Sequence, residues 1–204
     1  MFFGQTQPLP IPKPPQRTGY SVAAQPGRSF LPVAHEAVDA YRLGVRRCGQ
    51  YRTHMSWDHA ETVEIAATPA EVYNIVSNLE RMGEWSPENK GGSWIVGDGT
   101  NVGDRFEGNN AIGDRTWSAV AEVVRCDPGN AFCFTVGALD NPVAEWGYHL
   151  EATGQGTQVT ETWKMTQLPP SLVDATEERV QGRADMVADG MATTLAKLKA
   201  SIEG

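Results

Sequence analysis

The chain has 204 residues, 40% hydrophobic and 21% charged, with a formal net charge of -8 and a pI near 5.0. That is enough for one domain of ordinary size with a tail, and too little for two independent cores. The acidic balance argues against nucleic acid as a partner, because phosphate binding needs a basic face, and no run approaches the ~20 apolar residues of a membrane span.

Charge is unevenly placed: up to His54 seven Lys/Arg face two acids, and beyond it 10 face 23. The N-terminus, MFFGQTQPLPIPKPP, lacks the basic and apolar regions of a secretory signal, so a cytoplasmic location is expected. Cys48, Cys126 and Cys133 are odd in number and show no C-x-x-C spacing. They read as reduced thiols, not as a disulfide framework or a zinc site.

Residues 1–31 are dense in Pro, Gly, Gln and Ser, a composition that buries too little to offset ordering entropy. They are expected to be disordered, and 31–51 weakly helical, with Val38, Tyr41 and Val45 at helical spacing but interrupted by Gly44 and Gly49. A patterned domain opens at Met55. Two readings of residues 1–54 stay open: an over-extended reading frame, with the native protein starting at Met55, and a genuine flexible extension.

From Glu61 to Ala67 polar and apolar residues alternate, with Val63 and Ile65 on one face of a strand. Thr68-Pro69-Ala70-Glu71 is a capping box with Pro at the first helical position. The short helix it opens carries Val72, Ile75, Val76 and Leu79 on one side, kinks near Asn78 and Gly83, and stops at Trp85-Ser86-Pro87. Six strands follow, over 93–96, 104–112, 116–126, 131–138, 143–152 and 157–166, joined by short turns that make an antiparallel meander. Finally, residues 171–203 take a helical period, with Val180, Ala184, Val187, Met191, Leu195, Leu198 and Ile202 in one apolar stripe.

Three segments, TPAEVYNIVSNLERMGEWSPE, GDRFEGNN with Trp117 beyond it, and VAEWGYHLEATGQGTQVTETW, carry a family resemblance. The chain resembles the superfamily of START lipid-transfer domains, the major birch pollen allergen and the bacterial polyketide cyclase/dehydrase proteins (SRPBCC), and looks closest to small actinobacterial members of the cyclase/dehydrase-like group. The resemblance implies an α+β helix-grip fold over 55–204: a curved antiparallel seven-stranded sheet around a long C-terminal helix, two short helices after the first strand, and an apolar cavity between sheet and helix. It identifies a fold better than a reaction, because carriers, receptors and enzymes share the scaffold.

Alternation assigns the inner faces. Ala144, Trp146, Tyr148 and Leu150 face inward, as do Val159, Glu161, Trp163 and Met165, since the opposite faces are polar. Phe106, Gly108, Asn110 and Ile112 line the cavity from another strand, and Trp117, Ala119, Ala121 and Val123 from the next, where small residues behind a tryptophan leave room. Phe132, Phe134 and Val136 extend the lining, Met191 faces it from the helix, and Trp85 is placed either at the cavity mouth or as a packing anchor.

A buried carboxylate must find donors or shift its pKa, so Glu161 is the candidate acid/base; otherwise it is a polar link, with Arg183 as a possible partner. Asn110 either bonds a ligand or bonds Glu161. His149 falls on the polar face and is not read as a base. No metal-ligand cluster, phosphate loop or dinucleotide fingerprint is found, so no cofactor is expected. Two functions compete: binding of a hydrophobic small molecule (a lipid, a polyketide-like aromatic or an isoprenoid), and a non-metal cyclase or dehydratase using Glu161 with Asn110 or Tyr148. A protein-interaction domain with a collapsed cavity is a third. The oligomeric state is not legible.

Overall fold

The computed structural model describes residues 57–204, within a compact unit spanning Arg52–Gly204. The expectations for residues 1–54, including the start at Met55, lie outside the described residues. Seven strands form one antiparallel sheet: β1 (Trp57–Ile65), β2 (Asn89–Val96), β3 (Arg105–Ile112), β4 (Arg115–Asp127), β5 (Ala131–Ala138), β6 (Asn141–Ala152) and β7 (Thr157–Met165). The spatial order is β1-β7-β6-β5-β4-β3-β2. Thus β2 to β7 form the expected meander, and β1 closes on β7. The helices α1 (Pro69–Val76) and α2 (Glu177–Glu203), with a 3-10 helix at Leu79–Glu84, complete the domain.

Thr68 is the N-cap of α1, three residues beyond the end of β1. Its hydroxyl accepts from the Glu71 N–H at 3.3 Å, while Glu71 accepts from the Thr68 N–H at 2.8 Å. Thr68→Ala removes half of this reciprocal cap and is expected to cost about 1 kcal/mol, measurable as a lower urea midpoint with an unchanged m-value.

The glycine-rich GDGTNVGD segment is a turn built on Asp104. Its carboxylate accepts from the N–H groups of Gly99 (2.9 Å), Asn101 (3.1 Å) and Asp98 (3.3 Å). Desolvation, the largest single effect, pushes the Asp104 pKa up, but the backbone hydrogen bonds from Asn101, Asp98 and Gly99 together bring it below the usual value. At Gly97, with φ +72°, a Cβ would lie 2.1 Å from the Asp104 carboxyl carbon. The motif is therefore turn chemistry and has no phosphate-binding role to explain its glycines.

The long helix starts six residues later than its periodicity suggests. Thr176 caps it, and Leu172 is buried as an anchor in the preceding turn segment. α2 packs lengthwise beside β1. Near its C-terminal end the Glu203 carboxylate accepts from Ala66 N–H at 2.9 Å, and Lys199 Nζ donates to the Glu64 carbonyl at 2.6 Å. Gly190 does not bring α2 onto the sheet; a Cβ there would lie 3.6 Å from Pro87. Gly182 would meet nothing within 4 Å.

Two apolar clusters fill the inner face. One gathers Ile65, Val72, Trp85, Phe106, Phe132, Tyr148, Leu150, Val159, Leu195 and Leu198, toward the C-terminal end of α2. The other gathers Ala144, Trp163, Met165, Leu172, Val180, Val187 and Met191, toward its N-terminal end. Cys126 and Cys133 are free thiols.

Candidate functional site

β-sheet register brings the expected inner residues together. Across β6 and β7, Trp146 stands opposite Trp163 and Tyr148 opposite Glu161; across β5 and β6, Phe132 stands opposite Tyr148 and Phe134 opposite Trp146. Partners directly opposite share a face, so these six side chains form one inward row-and-column array. Trp146 and Trp163 meet with ring centroids 6.2 Å apart, and Phe134 meets Phe106 edge-on at 5.2 Å.

Glu161 lies between the two clusters, since its strand neighbours Val159 and Trp163 belong to one each. It is 4% exposed. The Tyr148 hydroxyl donates to Glu161 Oε1 at 3.0 Å, and Oε2 has no hydrogen-bond partner among the described residues. Burial raises the Glu161 pKa from 4.5 to about 8, with the Tyr148 hydrogen bond acting in the opposite direction. The Tyr148 phenol is itself pushed well above its usual value, first by burial and then by the neighbouring carboxylate, with hydrogen bonding from Trp85 opposing. The result is a carboxyl group that keeps its proton near neutrality and has one oxygen free to donate or accept.

Several expected partnerships are replaced by others. Arg183 does not reach Glu161; it clasps Glu88 through two hydrogen bonds, of 2.7 and 2.8 Å, tying the N-terminal half of α2 to the approach to β2. Asn110 does not bond Glu161 either. Its Oδ1 accepts from Asn89 at 3.4 Å and its Nδ2 donates to the Gly108 carbonyl at 3.2 Å. Trp85 is 1% exposed and packs in the first cluster, so it is an anchor and does not close a mouth. Ile112 ends β3 at the turn into β4 and is 38% exposed, so it does not line an enclosed cavity. Met191, at 1% exposure, packs in the second cluster. His149 is half-buried on the outer face against Thr162 Oγ1 at 3.3 Å, with its pKa lowered by burial and then by Arg125.

A contiguous part of the inner face is only half-buried: Asn110 opposite Trp117, Ala119 beside it, and Phe134 opposite Trp146, with Val136 alongside. Trp117 carries the Arg115 guanidinium 5.3 Å above its ring. A fully packed core would bury such aromatics; these keep partial access on the inner face, whereas Tyr148 and Glu161 are buried. A separate open groove of about 480 Å³ lies at the other end of the sheet, between Ala66–Glu71 and Ala152–Gly156. Its one ionisable group, Glu71, is committed to the α1 cap, so the groove offers little chemistry.

Two inward residues escaped the sequence reading. His59 and Glu61 on β1 share the parity of Val63 and Ile65, and Glu61 stands opposite Glu161. His59 and Glu61 bond each other at 3.3 Å. The signal was the strand parity itself, extended two residues toward the N-terminus. Among the described residues no group of three or more His, Cys, Asp or Glu could hold a metal ion, and no helix is long and apolar enough to cross a membrane.

Comparison with known proteins agrees with this architecture. Among curated proteins none matches the chain, whereas 252 solved chains do. A polyketide-cyclase-like protein of Corynebacterium glutamicum is 30% identical over 72% of this chain and 92% of its own, with a TM-score of 0.55. The di-domain ARO/CYC StfQ of the steffimycin biosynthetic pathway is 16% identical over 72% of this chain and 51% of its own, at TM-score 0.57. The ginseng major latex-like protein 151 from Panax ginseng is 16% identical over 71% and 96%, at 0.53. A family model described as polyketide cyclase / dehydrase and lipid transport matches residues 56–203. With the sheet, the gripping helix and nearly three-quarters of its length in agreement, the chain belongs to the polyketide cyclase / dehydrase and lipid transport family.

Proposed function

We propose that the protein binds a hydrophobic small molecule between the sheet and α2, with Trp117, Phe134 and Trp146 as walls and Tyr148 and Glu161 at the deep end. The observation that carries this reading is the half-buried aromatic patch on an otherwise packed inner face. Binding sites of this kind are largely apolar, with a few polar groups that fix orientation. A lipid, a polyketide-like aromatic or an isoprenoid suits the lining.

A second reading is favoured by one specific feature, the proton held by Glu161 up to about pH 8. A carboxyl group poised near neutrality can act as general acid or base, which fits a cyclase or dehydratase working without metal. Native mass spectrometry of wild type and Glu161→Gln, each purified from its own cytoplasm, separates the two. A carrier retains the same apolar molecule in both proteins. An enzyme retains substrate in the variant and product in the wild type, and a dehydration shows as the mass of one water. If neither protein retains an apolar molecule, the binding reading is wrong.

A further inference from the structure

The strongest unexplained feature of the molecule is a single oxygen. Glu161 Oε2 is the buried side-chain polar atom without a partner among the described residues. Leaving such an atom unpaired costs about 1–3 kcal/mol, so a group that satisfied it on binding would recover that loss as affinity.

The chemistry of that group follows from what surrounds the carboxyl. From β6 comes the Tyr148 hydroxyl, already donating to Oε1. From β1, on the opposing strand, come Glu61 and its partner His59. The buried residues of α2 are Val180, Val187, Met191, Thr194, Leu195 and Leu198, none of them ionisable. The nearest part of the 3-10 segment contributes Trp85. Arg183, the cation expected beside Glu161, is held by Glu88. Among these described residues the one basic side chain on this side is therefore His59, and it is engaged by Glu61.

Resting on the binding reading above, we propose that Glu161 and Tyr148 form a subsite for an uncharged oxygen function, a hydroxyl or a carbonyl on an apolar skeleton, and that it discriminates against carboxylates. A hydroxyl both donates and accepts, so it satisfies Oε2 whether or not the proton is present. A carbonyl only accepts, and pairs with the protonated form alone. A carboxylate can accept from the protonated form, but it brings a negative charge into an apolar site without a counter-cation, which is costly, and above about pH 8 it also meets the ionised Glu161.

The test uses four sixteen-carbon probes with matched skeletons: hexadecane, hexadecanol, 2-hexadecanone and palmitate. Each displaces Nile red from the full chain at pH 6.5 and pH 9.5. Hexadecanol is expected to bind about tenfold more tightly than hexadecane or palmitate, the equivalent of one satisfied polar group. Its affinity should hold between the two pH values, while that of 2-hexadecanone falls toward that of hexadecane at the higher pH. Glu161→Leu, with folding verified by circular dichroism, should bind hexadecanol and hexadecane alike. Palmitate binding as tightly as hexadecanol, or an alcohol preference that survives in Glu161→Leu, overturns the subsite and leaves the binding reading intact. Should Nile red fail to bind, or no probe displace it, the binding reading fails together with the subsite.

Discussion

Glu161→Gln is expected to abolish a fall in stability that the wild-type protein shows as pH rises from 4.5 to about 8. In the folded state the buried carboxyl holds its proton to about pH 8, whereas in the unfolded chain it releases it near 4.5. Between those values the native state binds more protons than the unfolded one, so each rise in pH favours unfolding, and the loss levels off above the folded pKa. At about 1.4 kcal/mol per pKa unit, the full loss is on the order of 5 kcal/mol. Glutamine keeps an acceptor for the Tyr148 hydroxyl but cannot ionise. Urea midpoints measured from pH 4 to 9.5 for both proteins give the difference profile. His149, whose burial lowers its pKa, contributes equally to both and cancels. A difference profile that is flat across this range would show that Glu161 is not buried as described.

The second large effect separates two tryptophans. Trp85 is 1% exposed within the first apolar cluster, and Trp85→Ala is expected to cost 3–5 kcal/mol, or roughly that, through lost transfer energy and an unfilled cavity. Trp117 is half-buried on the inner face under Arg115. Its replacement by alanine is expected to cost no more than about 1 kcal/mol, yet to weaken Nile red binding. Chemical denaturation ranks the stabilities and dye titration the affinities. A Trp117→Ala protein as destabilised as Trp85→Ala would place Trp117 in the core and remove the wall of the proposed site.

These two tryptophans also mark what could be read from the sequence. Alternation gave the inner faces of β6 and β7 because both strands are long, with one face plainly polar: Glu145 and Glu151 in one, Gln158 and Lys164 in the other. Glu161 was found that way, as was the Thr68 cap, whose chemistry is local. Trp85 stayed ambiguous because it follows the 3-10 helix, where no period of two or 3.6 residues assigns a side.

Partnerships across the fold were not legible. Arg183 and Glu88 are 95 positions apart, and nothing in either neighbourhood announces the other. Of the two readings open for Asn110, the bond to Glu161 is absent for a traceable reason: β2 begins at Asn89, four residues before the expected start, and Asn89 is the residue that stands opposite Asn110. The late start of α2 has a similar cause. Leu172 and Ala175 continue the apolar spacing although they belong to a turn segment, and only the Thr176 cap, a local hydrogen bond, sets the boundary.

Binding between the sheet and α2 brings an apolar molecule against the methyl groups of the inner face. Methyl-labelled protein titrated with Nile red and followed by heteronuclear NMR tests it most directly. Shifts are expected at Met191, Ala119 and Val136, which look inward, with Val120 and Val124 on the exposed parts of β4 unmoved. Shifts confined to Val120 and Val124, or to Ala66 and Ala152 beside the outer groove, would contradict it.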